Sequence, residues 1–289
     1  MIVKIACIQM EPLVGQVQHN IDRSLELIRI AAKKGAQLVV LPELCNSGYV
    51  FDSVDEARKL AEIIPGGQAC RAWSKIAAEY NLHIVAGINE LAGDKLYNSS
   101  VILGPEGHIG TYRKVHLWNT ENKFFTPGNL GFPVFDTPIG RLGSIICYDG
   151  WFPEGYMTCS RQGVDIVCIP TNWIPINGQR EGREAMANIL VMGAAHTNSV
   201  FVACANRVGT ERGTTFIGQS LIVSYTGWPI GGPASADQEE IIYADADLSD
   251  SRRLGRWNEF NHNPYKDRRP DQYEAVVNQA GIRAQGLNL

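Results

Sequence analysis

The sequence predicts an α/β fold in which two β-sheets pack against each other and helices cover their outer faces. Short apolar runs typical of strands alternate with longer segments that have the hydrophobic periodicity of helices. In the middle of the chain, short strand-like segments follow one another through turns rich in Gly and Pro, which indicates antiparallel pairing. No linker divides the chain, so we expect one domain over residues 1–257 and a C-terminal extension over residues 258–289.

The first part of the chain alternates between strands and helices. Residues 20–34 place apolar side chains on one side, and Gly35 ends this predicted helix as a C-terminal glycine should. Two more helices are predicted, separated by the breaker Pro65-Gly-Gly67. These helices lie at 54–64 and 68–80, and the predicted strands of this part lie at 3–9, 37–41 and 83–88.

The second part of the chain is richer in short strands. Predicted strands lie at 98–103, 109–114, 134–137, 142–147, 165–169, 200–205, 219–224 and 240–246, and predicted helices at 153–162 and 180–197. After about residue 257 the chain turns polar and basic, and we expect this tail to be extended or poorly ordered.

Composition and charge exclude several classes of protein. The 289 residues are 45% hydrophobic and 19% charged, which is ordinary for a globular protein with a sizeable core. A formal net charge of −4 gives no general footprint for nucleic acid or for acidic membranes. The first ten residues lack a signal-peptide pattern, and no stretch approaches the roughly 18 apolar residues of a membrane helix.

The cysteines and histidines do not form metal or disulfide patterns. The seven cysteines are scattered and odd in number, and none has CxxC spacing, so we expect reduced thiols in a cytoplasmic protein. The six histidines show no ligand spacing, so we expect no metal site, and nothing in the sequence indicates a cofactor.

Cys147 is the most informative candidate for catalysis. It ends the strand-like segment Arg141-Leu-Gly-Ser-Ile-Ile-Cys147, and a polar turn leads from it to Pro153-Glu154, which we interpret as the first turn of a helix. Such a strand–turn–helix can hold a nucleophile over free backbone N–H groups. Taken alone, however, a cysteine at a strand end is more often an inert buried thiol.

Three further residues stand out near strand ends. Glu43 follows an apolar strand at Val39-Val-Leu-Pro-Glu43, where ligand sites of α/β folds lie. Lys114 lies in Tyr112-Arg-Lys-Val-His-Leu117, and Glu121 lies in the next loop. Each has an ordinary alternative, because Glu43 could cap a helix, Lys114 could be surface charge and Glu121 could pair with Lys123 at the surface.

Together these segments resemble the nitrilase, or carbon–nitrogen hydrolase, superfamily. The family's motifs of the form Pro-Glu, Arg-Lys-x-His-Leu and Cys-Tyr-Asp-x-x-Phe-Pro-Glu all occur here in the family's order. The resemblance covers roughly residues 3–250. It implies a four-layer α-β-β-α sandwich, in agreement with the pattern of strands and helices, and a thiol hydrolase.

The resemblance also implies roles for the matching residues. Cys147 would be the nucleophile, Glu43 the general base, and Lys114 the cation that stabilises the tetrahedral intermediate. Glu121 would position the substrate, and the backbone N–H of Tyr148 would complete the oxyanion site. The chemistry requires such groups, because an ordinary thiol has a pKa of about 8.5 and needs a base or a nearby cation to attack carbon.

Further pocket residues are weaker candidates. Asn172 and Trp173 follow a predicted strand that borders the pocket in such folds, and they could bind substrate or form a structural turn. Tyr49 and Trp151 are similar candidates. His116 is expected to be a hydrogen-bonded structural histidine.

The motif after the nucleophile favours an amidase. Cys147-Tyr-Asp149 resembles the amidase and carbamoylase branches more than typical nitrilases, which carry Cys-Trp-Glu or Cys-Gly-Glu. We therefore expect hydrolysis of a small primary amide to acid and ammonia through a thioester, with a nitrile or an N-carbamoyl amino acid or amine as alternative substrates. A non-catalytic scaffold is the remaining alternative.

The expected partners follow from the same resemblance. The substrate would be a small amide, carbamoyl compound or nitrile, and neither nucleic acid nor a membrane would be bound. Family members commonly dimerise through helical layers, so we expect a homodimer or larger homo-oligomer with residues near 153–162 and 180–197 at the interface.

Overall fold

The computed structural model describes residues 2–179, 184–253, 258–260, 262, 264 and 266–277. The chain forms two compact units, Met1–Arg253 and Leu254–Leu289. The first unit contains the candidate site residues, and the second contains one helix within its described residues. The expected boundary at residue 257 stays a prediction.

The elements are numbered along the chain. The strands are β1 (Ile2–Gln9), β2 (Leu38–Val40), β3 (His83–Ala92), β4 (Lys95–Gly104), β5 (Gly107–Arg113), β6 (Val134–Thr137), β7 (Gly140–Ser144), β8 (Ile166–Pro170), β9 (Phe201–Ala205), β10 (Thr210–Glu211), β11 (Thr214–Thr215), β12 (Leu221–Val223), β13 (Pro229–Gly231) and β14 (Glu240–Asp247). The helices are α1 (Val17–Lys33), α2 (Val54–Lys59), α3 (Gln68–Tyr80), α4 (Pro153–Arg161), α5 (Met186–Asn198) and α6 (Pro270–Val277).

Two six-stranded sheets carry the fold. The first has the order β14-β1-β2-β3-β4-β5 and the second the order β13-β12-β9-β8-β7-β6. Strands β1, β2 and β3 run parallel, as do β7, β8 and β9, while the outer strands of each sheet pair antiparallel. The carboxyl ends of the central strands therefore meet at one edge of each sheet, where ligand sites of α/β folds lie.

The layers are set by alternation along the central strands. In β8, Ile166 and Cys168 face the core between the sheets, whereas Val167 and Ile169 face the core shared with α4 and α5. Successive side chains of a strand point to opposite faces, so a strand buried on both sides must be apolar throughout. On the first sheet, α1 and α3 supply the outer layer, and Trp73 of α3 donates its Nε1–H to Ser24 of α1 at 2.8 Å. The predicted α-β-β-α sandwich is confirmed.

The structure corrects the predicted bounds of two helices. The helix predicted over 54–64 ends at Lys59, because the following residues hydrogen-bond to β3 through Glu62. The helix predicted over 180–197 begins only at Met186; residues 180–183 of that prediction lie outside the described residues. Its start is fixed by side chains, since Ala185 N donates to Gln219 Oε1 and Met186 N to Gln179 Oε1.

The prediction of an extended tail is wrong for Pro270–Val277. These residues form α6, with proline in the first turn, where its missing N–H and fixed φ are tolerated. Residues 278–289 of the predicted tail lie outside the described residues. Over the described part of the chain, no helix combines the length and apolarity that a membrane crossing requires.

Candidate active site

The candidate residues come from the carboxyl ends of strands in both sheets. Glu43 lies three residues past β2, and Lys114 directly follows β5. Cys147 lies three residues past β7 in the second sheet. The four-layer packing therefore brings side chains from both sheets to one place, although they are far apart in sequence.

A glycine allows the Glu43 backbone to approach β3 closely. A Cβ atom at Gly87 would collide with Glu43 Cα and with the carbonyl oxygen of Pro42. Gly87 N donates to Pro42 O at 3.1 Å, and Gly87 O accepts from Cys45 N at 3.1 Å. Cys45 also directs its thiol to Gly87 O at 3.3 Å, so it serves packing in this turn.

Lys114 lies between two buried carboxyl groups. Its Nζ is 2.6 Å from Glu43 Oε1 and 2.7 Å from Glu121 Oε1, and the three side chains are at most 3% exposed. Buried charges are tolerated only when they are paired and hydrogen-bonded. Further donors complete the cluster, since Asn98 Nδ2 lies 2.6 Å from Glu43 Oε1 and Tyr49 Oη lies 2.6 Å from Glu121 Oε1.

The second oxygen of Glu43 is different. Glu43 Oε2 is buried and has no hydrogen-bond partner among the residues that the structure describes. Burial raises the pKa of Glu43 and the carboxyl group of Glu121 raises it further, while Lys114 and Asn98 lower it in part. A carboxylate with a raised pKa and a free oxygen is suited to accept a proton.

Burial opposes the charge of Lys114, but Glu121 and Glu43 outweigh this effect. The pKa of Lys114 is therefore raised above its ordinary value, and the side chain stays an ammonium group. The pKa of Tyr49 is raised well above its ordinary value by burial and then by Glu121, so Tyr49 remains a hydrogen-bond donor.

Cys147 begins a 3₁₀ turn, Cys147–Trp151, in a strained conformation. Its φ of 45° lies in the left-handed region, which non-glycine residues rarely adopt and which is found at functional sites. Cys147 as a whole residue is 8% exposed. Burial and then the charge of Glu43 raise the pKa of Cys147, and Lys114 lowers it only in part. The resting group is a thiol, so nucleophilic attack requires a base.

Asp149 joins the Lys114 loop to the Cys147 turn. Its carboxylate accepts hydrogen bonds from Tyr112 Oη at 2.6 Å, from Ile146 N at 3.0 Å and from His116 N at 2.9 Å. His116 Nδ1 lies 2.8 Å from the same carboxylate. Through His116, Asp149 therefore fixes the loop that follows Lys114. Through Ile146, it fixes the turn that begins at Cys147.

A cavity of about 320 Å³ lies over the Cys147 turn. Four predicted residues, Tyr148, Trp151, Asn172 and Trp173, line it beside the cysteine. Asn172 Nδ2 donates to the backbone oxygen of Glu43 at 3.0 Å, whereas Asn172 Oδ1 is buried without a partner among the described residues. Tyr49, also predicted to bind substrate, is not among the lining residues and donates to Glu121 Oε1 at 2.6 Å.

Sequence reasoning missed several residues that the structure places at the site. Trp118 lines the cavity, Asn98 binds Glu43, and Asp149 anchors both loops. Asp149 lies within the cysteine motif and could have been proposed from it. Asn98 carries no such signal, because its position depends on pairing of β4 with its neighbours. Within the described residues, no cluster of His, Cys, Asp and Glu could hold a metal ion.

Comparisons with known proteins agree with this fold. A family model described as "Carbon-nitrogen hydrolase" matches residues 4–256. A nitrilase of Pyrococcus abyssi is 41% identical over 94% of this chain and 99% of its own length. An N-carbamoylputrescine amidase of Solanum lycopersicum is 32% identical over 90% of each chain. A solved carbon–nitrogen hydrolase of Helicobacter pylori G27 superposes with a TM-score of 0.81 at 26% identity, covering 96% of this chain and 99% of that one.

The chain belongs to the carbon–nitrogen hydrolase family of the nitrilase superfamily. It is an enzyme of that class, and the family and enzyme class predicted from the sequence are confirmed. The assignment of individual catalytic residues stays a prediction.

Proposed function

We propose that the enzyme is an amidase that hydrolyses a small primary amide through a thioester on Cys147. The observation that supports the proposal is the buried Glu43–Lys114–Glu121 cluster, whose charges influence the Cys147 thiol beside a cavity. The cluster supplies a base and a cation, and the cysteine supplies a nucleophile.

The first half of the reaction acylates the enzyme. Glu43 Oε2 accepts the proton of the Cys147 thiol while Sγ forms a bond to the amide carbon. The carbonyl oxygen takes the electron pair and is stabilised by Lys114 Nζ and by the Tyr148 N–H. Groups aimed at such an oxyanion each contribute about 100- to 1000-fold in rate. The intermediate then expels the nitrogen as ammonia, which takes its proton from Glu43, and a thioester remains.

The second half of the reaction restores the thiol. Glu43 takes a proton from water, whose oxygen attacks the thioester carbon. Collapse of the second tetrahedral intermediate breaks the carbon–sulfur bond, returns the proton to sulfur and releases the acid. Glu121 holds Lys114 in place from the opposite side, and Tyr49 fixes Glu121.

The unpartnered oxygens support an amide rather than a nitrile. Asn172 Oδ1 and Glu43 Oε2 are buried acceptors without donors in the described structure. A buried acceptor left unpaired costs roughly 1–3 kcal/mol, so a substrate that supplies N–H donors is favoured. An amide NH₂ supplies two, and a nitrile supplies none. Nitrile hydrolysis is the second candidate, favoured by the 41% identity to the nitrilase of Pyrococcus abyssi.

Ammonia release by the purified enzyme tests the proposal. The substrates are small primary amides, matched nitriles and matched N-carbamoyl compounds. We expect release from amides, reduced about 10⁴-fold or more by Cys147→Ala. Release from nitriles or carbamoyl compounds alone would refute the amidase assignment.

Cys45→Ala is the matched control, since Cys45 is also a buried thiol near Glu43 but bonds only the Gly87 carbonyl oxygen. It should retain activity. Iodoacetamide should modify Cys147 faster than the other cysteines. Equally slow labelling of all cysteines, together with no ammonia release from any substrate, would favour a non-catalytic scaffold.

A further inference from the structure

We infer that the acyl group of the substrate is uncharged and carries an apolar ring. This inference rests on the proposed function, and it concerns the part of the substrate that does not react. The reacting atoms lie at Cys147, so the remainder of the cavity must receive the rest of the substrate. The side chains of that remainder determine which acyl groups are accepted.

Four of the nine described residues that line the cavity are aromatic. They are Trp118, Tyr148, Trp151 and Trp173, and they lie beside Cys147 in the lining. Trp118 and Tyr148 contact each other with ring centroids 4.6 Å apart. Such rings contribute large apolar area and favour offset or edge-to-face contact with another ring, which stabilises a bound ring beyond the burial of its area.

The remaining lining is aliphatic or neutral. Ile174 and Ile176 add apolar surface, and Asn172 and Asn177 are the polar side chains. No Asp, Glu, Lys or Arg occurs among the described residues that line the cavity. A charged acyl group that entered this lining would lose hydration without gaining a charged partner among the described residues, so we expect charged substrates to bind less well.

The size of the cavity sets the size of the acyl group. About 320 Å³ lies at the lower end of the roughly 300–1,000 Å³ typical of small-molecule sites. A single ring with a short linker to the carboxamide fills such a space, whereas acetamide leaves most of the rings uncovered. The kcat/KM for acetamide therefore measures the reacting centre without contacts to the aromatic rings.

The test compares four acyl groups, each offered as the amide and as the nitrile. The acyl groups are phenylacetyl (a neutral ring), acetyl (neutral and small), succinyl with a free carboxylate (anionic) and 4-aminobutanoyl (cationic). We expect kcat/KM for the phenylacetyl compound to exceed that of the acetyl compound about tenfold or more. It should exceed both charged compounds about a hundredfold or more. Equal or higher kcat/KM for either charged compound would overturn the inference.

Two tryptophan variants locate the effect. Trp151→Leu should lower the ratio of phenylacetyl to acetyl kcat/KM about tenfold, because one ring contact is lost at the cavity. Trp228→Leu is the control, since Trp228 is 70% exposed and outside the cavity lining, and it should leave the ratio unchanged. A ratio unmoved by Trp151→Leu would overturn the assignment of the ring to this cavity.

The Cys147→Ala variant separates the two proposals. If ammonia release is lost in this variant but charged acyl groups are preferred, the proposed chemistry stands and only the acyl-group inference fails. If release is absent from every compound, or does not depend on Cys147, both fail.

Discussion

Lys114 pairs with both buried carboxyl groups of the candidate site. Both carboxyl groups that contact it, Glu43 and Glu121, use their Oε1 atoms for the lysine, which leaves Glu43 Oε2 unpartnered in the described structure. The free oxygen of Glu43 is important for the reaction because the pKa of Cys147 is raised. A thiol that stays protonated at neutral pH cannot attack without a base, and the free oxygen of Glu43 is suited to be that base.

Asn98→Ala should move the acidic limb of the pH–activity profile to higher pH. Glu43 must be ionised to act as a base, so activity rises with pH through its pKa, which burial raises above the ordinary glutamate value of about 4.3. Asn98 donates to Glu43 Oε1 and lowers this pKa, so its removal raises the pKa. The dependence of kcat/KM on pH measures the shift.

Asn89→Ala is the control for this prediction. Asn89 lies opposite Asn98 across β3 and β4, is equally buried, and donates to Ala57 O rather than to Glu43. It should lower stability without moving the acidic limb. An acidic limb that stays in place in Asn98→Ala would show that Glu43 is not the titrating base.

At the residue scale the sequence predicted the groups but not their contacts. Glu43, Lys114, Glu121 and Cys147 could be found because they lie in motifs next to strand ends, and the structure brings the first three into direct contact. The link from Tyr49 to Glu121 spans 72 residues of sequence. No local pattern encodes such a contact, since it depends on how the loops fold over one another.

At the scale of elements, the hairpin of β10 and β11 supports the candidate site from outside. Glu211 in β10 accepts hydrogen bonds from Tyr49 N at 2.8 Å and Val50 N at 2.6 Å. Its other oxygen pairs with buried Arg207 at 3.0 Å. The hairpin therefore fixes the loop that carries Tyr49, and Tyr49 in turn donates to Glu121.

Glu211→Gln should lower kcat about tenfold or more through Tyr49. A glutamine amide would turn donors toward the donors of Tyr49, Val50 or Arg207, and breaking the buried pair costs about 3–5 kcal/mol of stability. A double-mutant cycle with Tyr49→Phe separates the two effects. If Glu211 acts through Tyr49, the double variant should have nearly the kcat of Tyr49→Phe alone.

Glu56→Gln is the matched control, because Glu56 in α2 pairs with Arg212 in the turn of the same hairpin. Glu56 pairs with Arg212 at 2.7 Å at the surface, and surface ion pairs contribute little. It should leave kcat and the melting temperature nearly unchanged. Fully additive losses of kcat in the cycle between Glu211 and Tyr49 would contradict a positioning role for Glu211.

Sequence patterns predicted the elements better than their ends. The central strands and the helices α1, α3 and α4 were predicted within a few residues, because buried faces impose a clear periodicity. The strand predicted over 142–147 ends at Ser144, since Cys147 leaves the strand conformation with positive φ. Strain of this kind at a candidate nucleophile is held by tertiary contacts, here by Asp149.

At the scale of the whole molecule, one helix of an outer layer exposes large apolar side chains. The helix α5 contains no Asp, Glu, Lys or Arg, and its outward positions include Met186 at 41% and Ile189 at 49% exposure. Exposed apolar side chains on an uncharged helix are typical of a surface that another element or chain covers. We therefore expect a second copy of the chain to cover α5 and its neighbour α4, as the family resemblance implies for the two helical regions.

Ile189→Lys should weaken this association about a hundredfold or more. A lysine placed without a partner in an apolar interface costs several kcal/mol, and each 1.4 kcal/mol changes the dissociation constant tenfold. Light scattering at micromolar concentration should find a dimer or larger assembly for the wild type and mainly monomer for the variant. Ile30→Lys is the control, because Ile30 is 41% exposed on α1 beside charged residues and should leave the assembly intact. A monomeric wild type, or an Ile189→Lys variant that assembles like the wild type, would show that α5 is not an interface helix.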